Sequence, residues 1–276
     1  MKQQSLAEKL INSGLCQDTK QAAAFIMAGK VLVNDRPAKA GSLVKKTDVI
    51  RVKDVLPYAS KGGLKLSGAL RVMEVAVEGK VCLDAGASTG GFTDCLLQSG
   101  AALVYAVDVG FGQLTGKLRQ ENKVVNLEKT NISDESLLSL NPRPSFATCD
   151  LSYLSLRSAV PLYKAIMHGE GEILALVKPL FEIEDSEAKR SGQVEDTAYE
   201  PLLLDLVAGF NAMPGTGVRN VCASPVTGNA GTLEFFLHIG FGDNLEKPDL
   251  GRKIAGSVQS ALQTHPYTKA GDIILD

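Results

Sequence analysis

The sequence is poor in the residues that bind metals or staple small scaffolds. Its 276 residues include five cysteines and three histidines. Cys16, Cys82, Cys95, Cys149 and Cys222 stand far apart with no C-x-x-C pair, and His168, His238 and His265 are equally scattered. That spacing argues against a zinc site or a disulfide framework. Most of these thiols lie in or beside apolar stretches, where a thiol behaves as a small hydrophobe, so they are expected in the core. No run of about 18 apolar residues is present to span a bilayer. The opening Met1-Lys-Gln-Gln-Ser-Leu-Ala-Glu8 lacks the apolar segment of a secretory leader, and there is no internal repeat or low-complexity tract. The expectation is a cytoplasmic chain with neither metal nor membrane partner, long enough for two domains.

What the chain does have is Val81-Cys-Leu-Asp-Ala-Gly-Ala-Ser-Thr-Gly-Gly-Phe-Thr-Asp94, an apolar run that ends in an acid and then in glycines. It reads as a strand, a turn that cradles a nucleotide, and a helix start, because glycine lets backbone approach a ligand and the first helical amides are free to donate. A dinucleotide fingerprint would need G-x-G-x-x-G, and Ser88 stands where its second glycine belongs. A carboxylate at Asp84 suits a ligand with an ammonium or sulfonium charge better than one with a pyrophosphate. S-adenosylmethionine is such a ligand. A second apolar run, Leu103-Val-Tyr-Ala-Val-Asp108, ends in an acid 24 residues after Asp84, about where an α/β fold places its ribose-binding carboxylate. Asp84, Gly86, Ser88, Gly90, Gly91, Phe92 and Asp108 are therefore the expected cofactor residues.

The net charge of −2 conceals an asymmetry: residues 1–65 carry 12 lysines and arginines against five acids, and the remainder 17 against 26. A basic module on an acidic body suggests that the first part grips a polyanion, for which nucleic acid is the natural candidate, although a solvated basic face would look the same. Within this module, Leu6, Leu10 and Ile11 have helical spacing with Gly14 as a stop. Asp18 or Thr19 can cap a second helix through Met27. Lys30 to Val33 and Thr47 to Val52 read as strands, with a turn at Asn34-Asp35.

Pro57-Tyr-Ala-Ser-Lys-Gly-Gly-Leu64 breaks both periodicities and predicts a linker over 58–64, between domains 1–57 and 65–276. Beyond it, strands are expected at 123–126, 145–150, 172–178, 218–224 and 233–239, with helices at 93–98, 155–167, 199–212 and 250–262. This alternation predicts a doubly wound, mostly parallel α/β sheet whose last strand is antiparallel, since only a short loop precedes it. Chemistry in such a sheet sits at the carboxyl ends of the strands. There Asp150 and Lys178 end apolar runs, Glu234 lies in the last strand, and Lys65 follows the linker. Taken singly, each would serve as a solvated strand-end charge. Together they argue for a site, because buried charges must pair.

The first 56 residues resemble the S4-like RNA-binding domain, with Thr19-Lys-Gln-Ala-Ala23, Ala28-Gly-Lys-Val-Leu-Val-Asn34 and Asp48-Val-Ile50 in its characteristic places. Ser5, Ala7 and Glu8 replace the usual arginines of the first helix, which shifts the expected RNA contacts to Lys20, Lys30, Arg36 and Lys39. The body resembles the FtsJ-type ribose 2′-O-methyltransferases, and the whole chain the TlyA family of haemolysin A-like proteins. Ser60 to Leu66, Asp84 to Asp94, Val107 to Leu114, Glu128 to Asn131, Asp150 to Leu156, Leu176 to Glu182 and Ser224 to Phe235 carry that likeness. Gly231-Thr-Leu-Glu234 departs from the more usual Gly-Asn-x-Glu, and Gln193 to Asp196 lacks a basic residue often found there. The resemblance implies a Rossmann-like S-adenosylmethionine-dependent methyltransferase with a small N-terminal α+β S4-like domain. It also implies cytidine of ribosomal RNA as substrate, and a catalytic tetrad at Lys65, Asp150, Lys178 and Glu234. Two other readings remain at this point: a non-catalytic RNA-binding or ribosome-assembly factor, and a membrane-active haemolysin.

Overall fold

The computed structural model describes residues 4–12, 16, 18–39, 41–45, 47–53, 57–228, 231–263 and 273–275. The helix stop expected at Gly14 lies outside them. The chain divides into two compact units, Met1–Pro57 with Tyr267–Asp276, and Tyr58–Pro266. The end of the chain thus groups with the first unit rather than the second, because strand Ile273–Leu275 pairs antiparallel with Ile50–Val52.

In the first unit, helices Leu6–Asn12 and Thr19–Met27 pack Leu6, Leu10, Ala22 and Ile26 against Val31, Val44, Ile50 and Val52. Asp18 caps the second helix, its carboxylate accepting from the Gln21 amide at 2.7 Å, which satisfies one of the amides a helix start leaves free. Strand Val31–Val33 pairs with Arg36–Pro37 on one side and Ile50–Val52 on the other. The tight turn between the first two places Asn34 and Asp35 at φ 50° and 61°, the left-handed geometry that Asn and Asp tolerate best in a two-residue hairpin. Asn34 also bonds Asp48 and the Val49 amide.

The second unit is a seven-stranded sheet. Its strands are β1 (Val81–Ala85), β2 (Leu103–Asp108), β3 (Val124–Glu128), β4 (Phe146–Cys149), β5 (Gly171–Val177), β6 (Thr216–Ala223) and β7 (Phe235–Phe241). Their order is β6-β7-β5-β4-β1-β2-β3, with only β7 running against its neighbours. Alternate residues of each strand face opposite sides, so Ile173, Ala175 and Val177 join one core and Leu174 and Leu176 the other. The first core is covered by α4 (Leu156–Ile166), α7 (Tyr199–Ala212) and α8 (Gly251–Gln263), and the second by α1 (Lys61–Val72) and α2 (Gly91–Gln98). Short helices α3 (Gly116–Arg119), α5 (Pro179–Glu182) and α6 (Ser186–Ser191) lie in the connections. All five cysteines are buried and free.

Residues 61–64 are not linker. Ser60 caps α1 by accepting from the Gly62 amide, and Gly63 lies inside the first turn because nothing larger fits. A Cβ on Gly63 would stand 2.2 Å from that of Tyr58. On α2, a Cβ on Gly91 would stand 2.2 Å from Ser60 Oγ and 3.0 Å from the Gly63 amide nitrogen. Helices α1 and α2 therefore meet backbone to backbone.

Among the described residues no helix is long and apolar enough to cross a membrane, and no group of three or more His, Cys, Asp or Glu could hold a metal.

Candidate active site

Parallel strands deliver their last residues to one edge of a sheet, and an antiparallel strand delivers its first residue to that same edge. Asp150 follows β4 and Lys178 follows β5, while Glu234 immediately precedes β7 rather than lying within it. The β5–β7 ladder closes with Val177 opposite Phe235. Lys65 comes from α1, which crosses the nearby loop closely enough that a Cβ on Gly68 would stand 2.6 Å from Pro225.

These four residues form two ion pairs. Lys65 Nζ lies 2.5 Å from Glu234 Oε2, both side chains being 13% exposed or less. Lys178 Nζ lies 2.5 Å from Asp150 Oδ1 and donates to Ser152 Oγ at 2.7 Å. Asp150 Oδ1 is buried and accepts no hydrogen bond, so its tie to Lys178 is a charge contact without hydrogen-bond alignment. The pairs also act on each other. Burial holds the Glu234 carboxyl above its ordinary range, the Lys65 ammonium opposes this, and Asp150 and Lys178 add smaller effects of opposite sign. Gly228 leaves room for the carboxylate, since a Cβ there would meet Glu234 Oε1 at 2.4 Å.

The glycine-rich loop runs from the end of β1 to the start of α2. Asp108, at the end of β2, accepts from the Ser88 amide and the Gly110 amide, each at 2.7 Å, which fixes loop and strand end side by side. Gly86 sits at φ 86°, and a Cβ on it would stand 2.5 Å from the Asp150 carbonyl oxygen. Cradle and Asp150 therefore share a backbone contact. Gly90 takes φ 97° as the cap of α2, and its missing Cβ makes room for Leu118. Gly86, Gly90 and Gly91 thus answer to the protein's own close packing. The residues left open on this loop are Ser88 and Thr89.

Two expected cofactor residues are placed differently from their neighbours. The Phe92 side chain is in the core, its ring 6.1 Å from that of Phe236, because the second helical position of α2 faces the sheet. Asp84 is fully buried, with Oδ2 accepting from Thr93 Oγ1 at 2.6 Å and Oδ1 from Thr148 Oγ1 at 2.9 Å. Burial raises its pKa to about 6, with Thr93 and Thr148 pulling the other way. It is a buried carboxylate whose hydrogen-bond donors, two hydroxyls and a backbone amide, are neutral, a chemistry that favours a cationic neighbour. Thr93, Ser152 and Gly228 lie in the stretches that carry the family likeness but were not singled out, and Thr148 lies in no such stretch.

In the first unit, Lys20, Arg36 and Lys39 are exposed, and Lys30 is half-buried with its ammonium 5.4 Å from the centre of the Phe25 ring.

Residues 58–241 match the FtsJ-like methyltransferase family, and residues 5–50 match the S4 domain. The chain is 38% identical over 274 residues to "Putative rRNA methyltransferase YqxC" of Bacillus subtilis, covering 98% of each chain. It is 38% identical over 232 residues to the 16S/23S rRNA (cytidine-2′-O)-methyltransferase TlyA of Mycobacterium tuberculosis, covering 83% of this chain and 87% of that one. Among solved structures, "Putative hemolysin from Streptococcus thermophilus" is 35% identical, with a TM-score of 0.71 over 95% of this chain and 97% of that one.

Proposed function

The chain belongs to the FtsJ-like methyltransferase family and carries an S4 domain, and from that premise we propose that it transfers a methyl group from S-adenosylmethionine to a ribose 2′-hydroxyl of ribosomal RNA. The names of its relatives favour a cytidine. The observation that carries the reading is the pairing of Lys178 with Asp150 and of Lys65 with Glu234, set at the edge where the glycine-rich loop turns.

The loop and its flanking acids fit the cofactor. Asp108, already aligned by two amides, would hold the ribose hydroxyls. Ser88 and the open part of the loop would face the nucleoside, and the buried charge of Asp84 would favour the cationic end. Bound there, S-adenosylmethionine supplies a methyl carbon already activated by sulfonium. Transfer to a 2′-hydroxyl yields a methyl ether, a neutral thioether and one proton.

The chain's own task is to hold the hydroxyl in line and to manage that proton. Lys178, anchored by Asp150 and Ser152, holds the hydroxyl and steers its departing proton. Asp150 holds Lys178 by charge, through an oxygen that accepts no hydrogen bond, while Ser152 accepts the bond that directs it. Glu234 balances Lys65 and holds the hydroxyl from the other side. The exposed basic residues of the S4 domain, Lys20, Arg36 and Lys39, with the half-buried Lys30, would engage phosphates as a sequence-tolerant grip.

Tritium transfer from labelled S-adenosylmethionine to ribosomal RNA and to each ribosomal subunit tests this reading. Reverse-transcription stops at low nucleotide concentration then locate the product. Cofactor binding with no label transferred to any of these substrates would reject it in favour of a non-catalytic RNA-binding role.

A further inference from the structure

One turn beyond Lys178, Glu182 reaches across to the segment that follows Asp150. Its Oε1 accepts from the Leu156 amide at 2.7 Å and its Oε2 from Ser155 Oγ at 3.0 Å. Ser155 is itself the cap of α4, accepting from the Arg157 amide at 3.1 Å. One carboxylate therefore takes a free amide of the helix start and the hydroxyl that caps another. Burial favours the neutral form of Glu182, which the Leu156 amide, Ser155 and Arg157 counter in that order.

These bonds matter because of what lies at the other end of each segment. Residues 150–156 begin with Asp150 and Ser152, and residues 178–182 begin with Lys178. The two stretches are tied at their starts by Lys178 to Asp150 and Ser152, and at their ends by Glu182 to Ser155 and Leu156. Pro179, at the first position of α5, has a fixed φ and limits the freedom of the chain between the two ties.

We propose that Glu182 is a positioning residue of the methyl transfer: by holding the end of the Lys178 segment against the start of α4, it fixes the approach of Lys178 to the Asp150–Ser152 turn. The proposal rests on the methyltransferase reading above. A displacement of about an ångström at a reacting group can cost on the order of a hundredfold in rate, so losing this tie should register in the chemical step rather than in cofactor binding.

The test is single-turnover methylation of ribosomal RNA at saturating S-adenosylmethionine, below the melting temperature of every variant, with cofactor affinity measured separately by calorimetry. Glu182→Ala should lower the rate by about tenfold to a hundredfold while cofactor affinity stays unchanged. Glu182→Gln, which keeps a carbonyl acceptor, should recover most of the rate. Ser155→Ala, which removes one arm only, should lose less than Glu182→Ala and covers the case in which that variant fails to fold. A Glu182→Ala protein as fast as wild type overturns the proposal, as does a Gln variant no better than Ala, or a parallel loss of rate and cofactor affinity. Wild-type protein that methylates no ribosomal RNA overturns the methyltransferase reading and the proposal with it, whereas active wild type beside an undiminished Glu182→Ala overturns the brace alone.

Discussion

Lys178 and Glu234 stand one step past the last rung of a single antiparallel ladder, the rung that joins Val177 to Phe235. Sheet topology makes them neighbours, yet each takes its ion-pair partner elsewhere: Lys178 from the turn after β4, Glu234 from a helix on the other side of the sheet edge. The result is two cation–carboxylate pairs drawn from four separate chain segments. Each pair keeps its own charge balanced, and the Glu234 carboxyl feels both.

Lys178→Ala separates chemistry from binding. The contacts of its ammonium are Asp150 and Ser152, so the loop that would hold the cofactor keeps its supports. Methyl transfer should fall on the order of a thousandfold, within the range of general acid–base groups, with S-adenosylmethionine affinity nearly unchanged in calorimetry. An equal loss of both would reject the assigned role.

The Lys65–Glu234 pair is buried enough to be felt in stability. Removing one partner of such a pair strands the other charge and costs about 3–5 kcal/mol. Lys65→Met and Glu234→Gln should each destabilise the protein in urea unfolding, and the double variant should be less destabilised than the sum, with a coupling energy of at least about 1 kcal/mol. Strict additivity would mean that the 2.5 Å contact contributes nothing.

How much of this could be read from the chain alone follows from where each signal resides. Asp84, Asp108, Asp150 and Lys178 were legible because each ends or nearly ends an apolar run, and a sheet with that pattern puts such positions at its working edge. Glu234 is legible as a charge in the last apolar run but is expected inside that strand, whereas it precedes β7; the period-two pattern gives strand existence better than strand limits. The helix over 61–72 was hidden by Gly62-Gly63, which read as breakers when only local propensity is considered. Gly63 is there because it packs under Tyr58, and the same turn meets Gly91 of α2 backbone to backbone. The hydroxyls of Thr93 and Thr148 on Asp84, the latter 64 residues away, leave no trace in spacing. The strand at 273–275 pairs with a partner more than 200 residues earlier, a distance over which no local pattern speaks.

Asp84 predicts a pH dependence with a definite sign. Its pKa in the folded chain, about 6, lies above the ordinary 3.8, so between these values the folded state holds more protons than the unfolded one. Stability from this group is fully present below pH 3.8 and is lost as pH rises through about 6. The cost at neutral pH is up to about 3 kcal/mol. Asp84→Asn has no such ionisation, and its stability relative to wild type should therefore improve between about pH 4 and pH 7 in urea titrations. A difference that stays flat over this range would show that Asp84 titrates normally.

The basic residues of the S4 domain offer a test that distinguishes a phosphate grip from a reader of bases. A lysine that neutralises one phosphate releases about one counterion, so replacing it should lower the salt slope of RNA affinity by roughly one and weaken all sequences alike. Lys20, Arg36 and Lys39 are exposed on different elements of the unit, while Lys30 is held over Phe25 and gives up less water on contact. Charge removal at Lys20, Arg36 or Lys39 is thus expected to reduce the slope by a full step with little change in the melting temperature. Lys30→Met should reduce it similarly but also lower stability by up to about 1 kcal/mol, from the lost contact with the ring. Filter binding to ribosomal RNA fragments across a salt series measures these slopes. An unchanged slope in all four variants would move the RNA-binding face of the domain away from these residues.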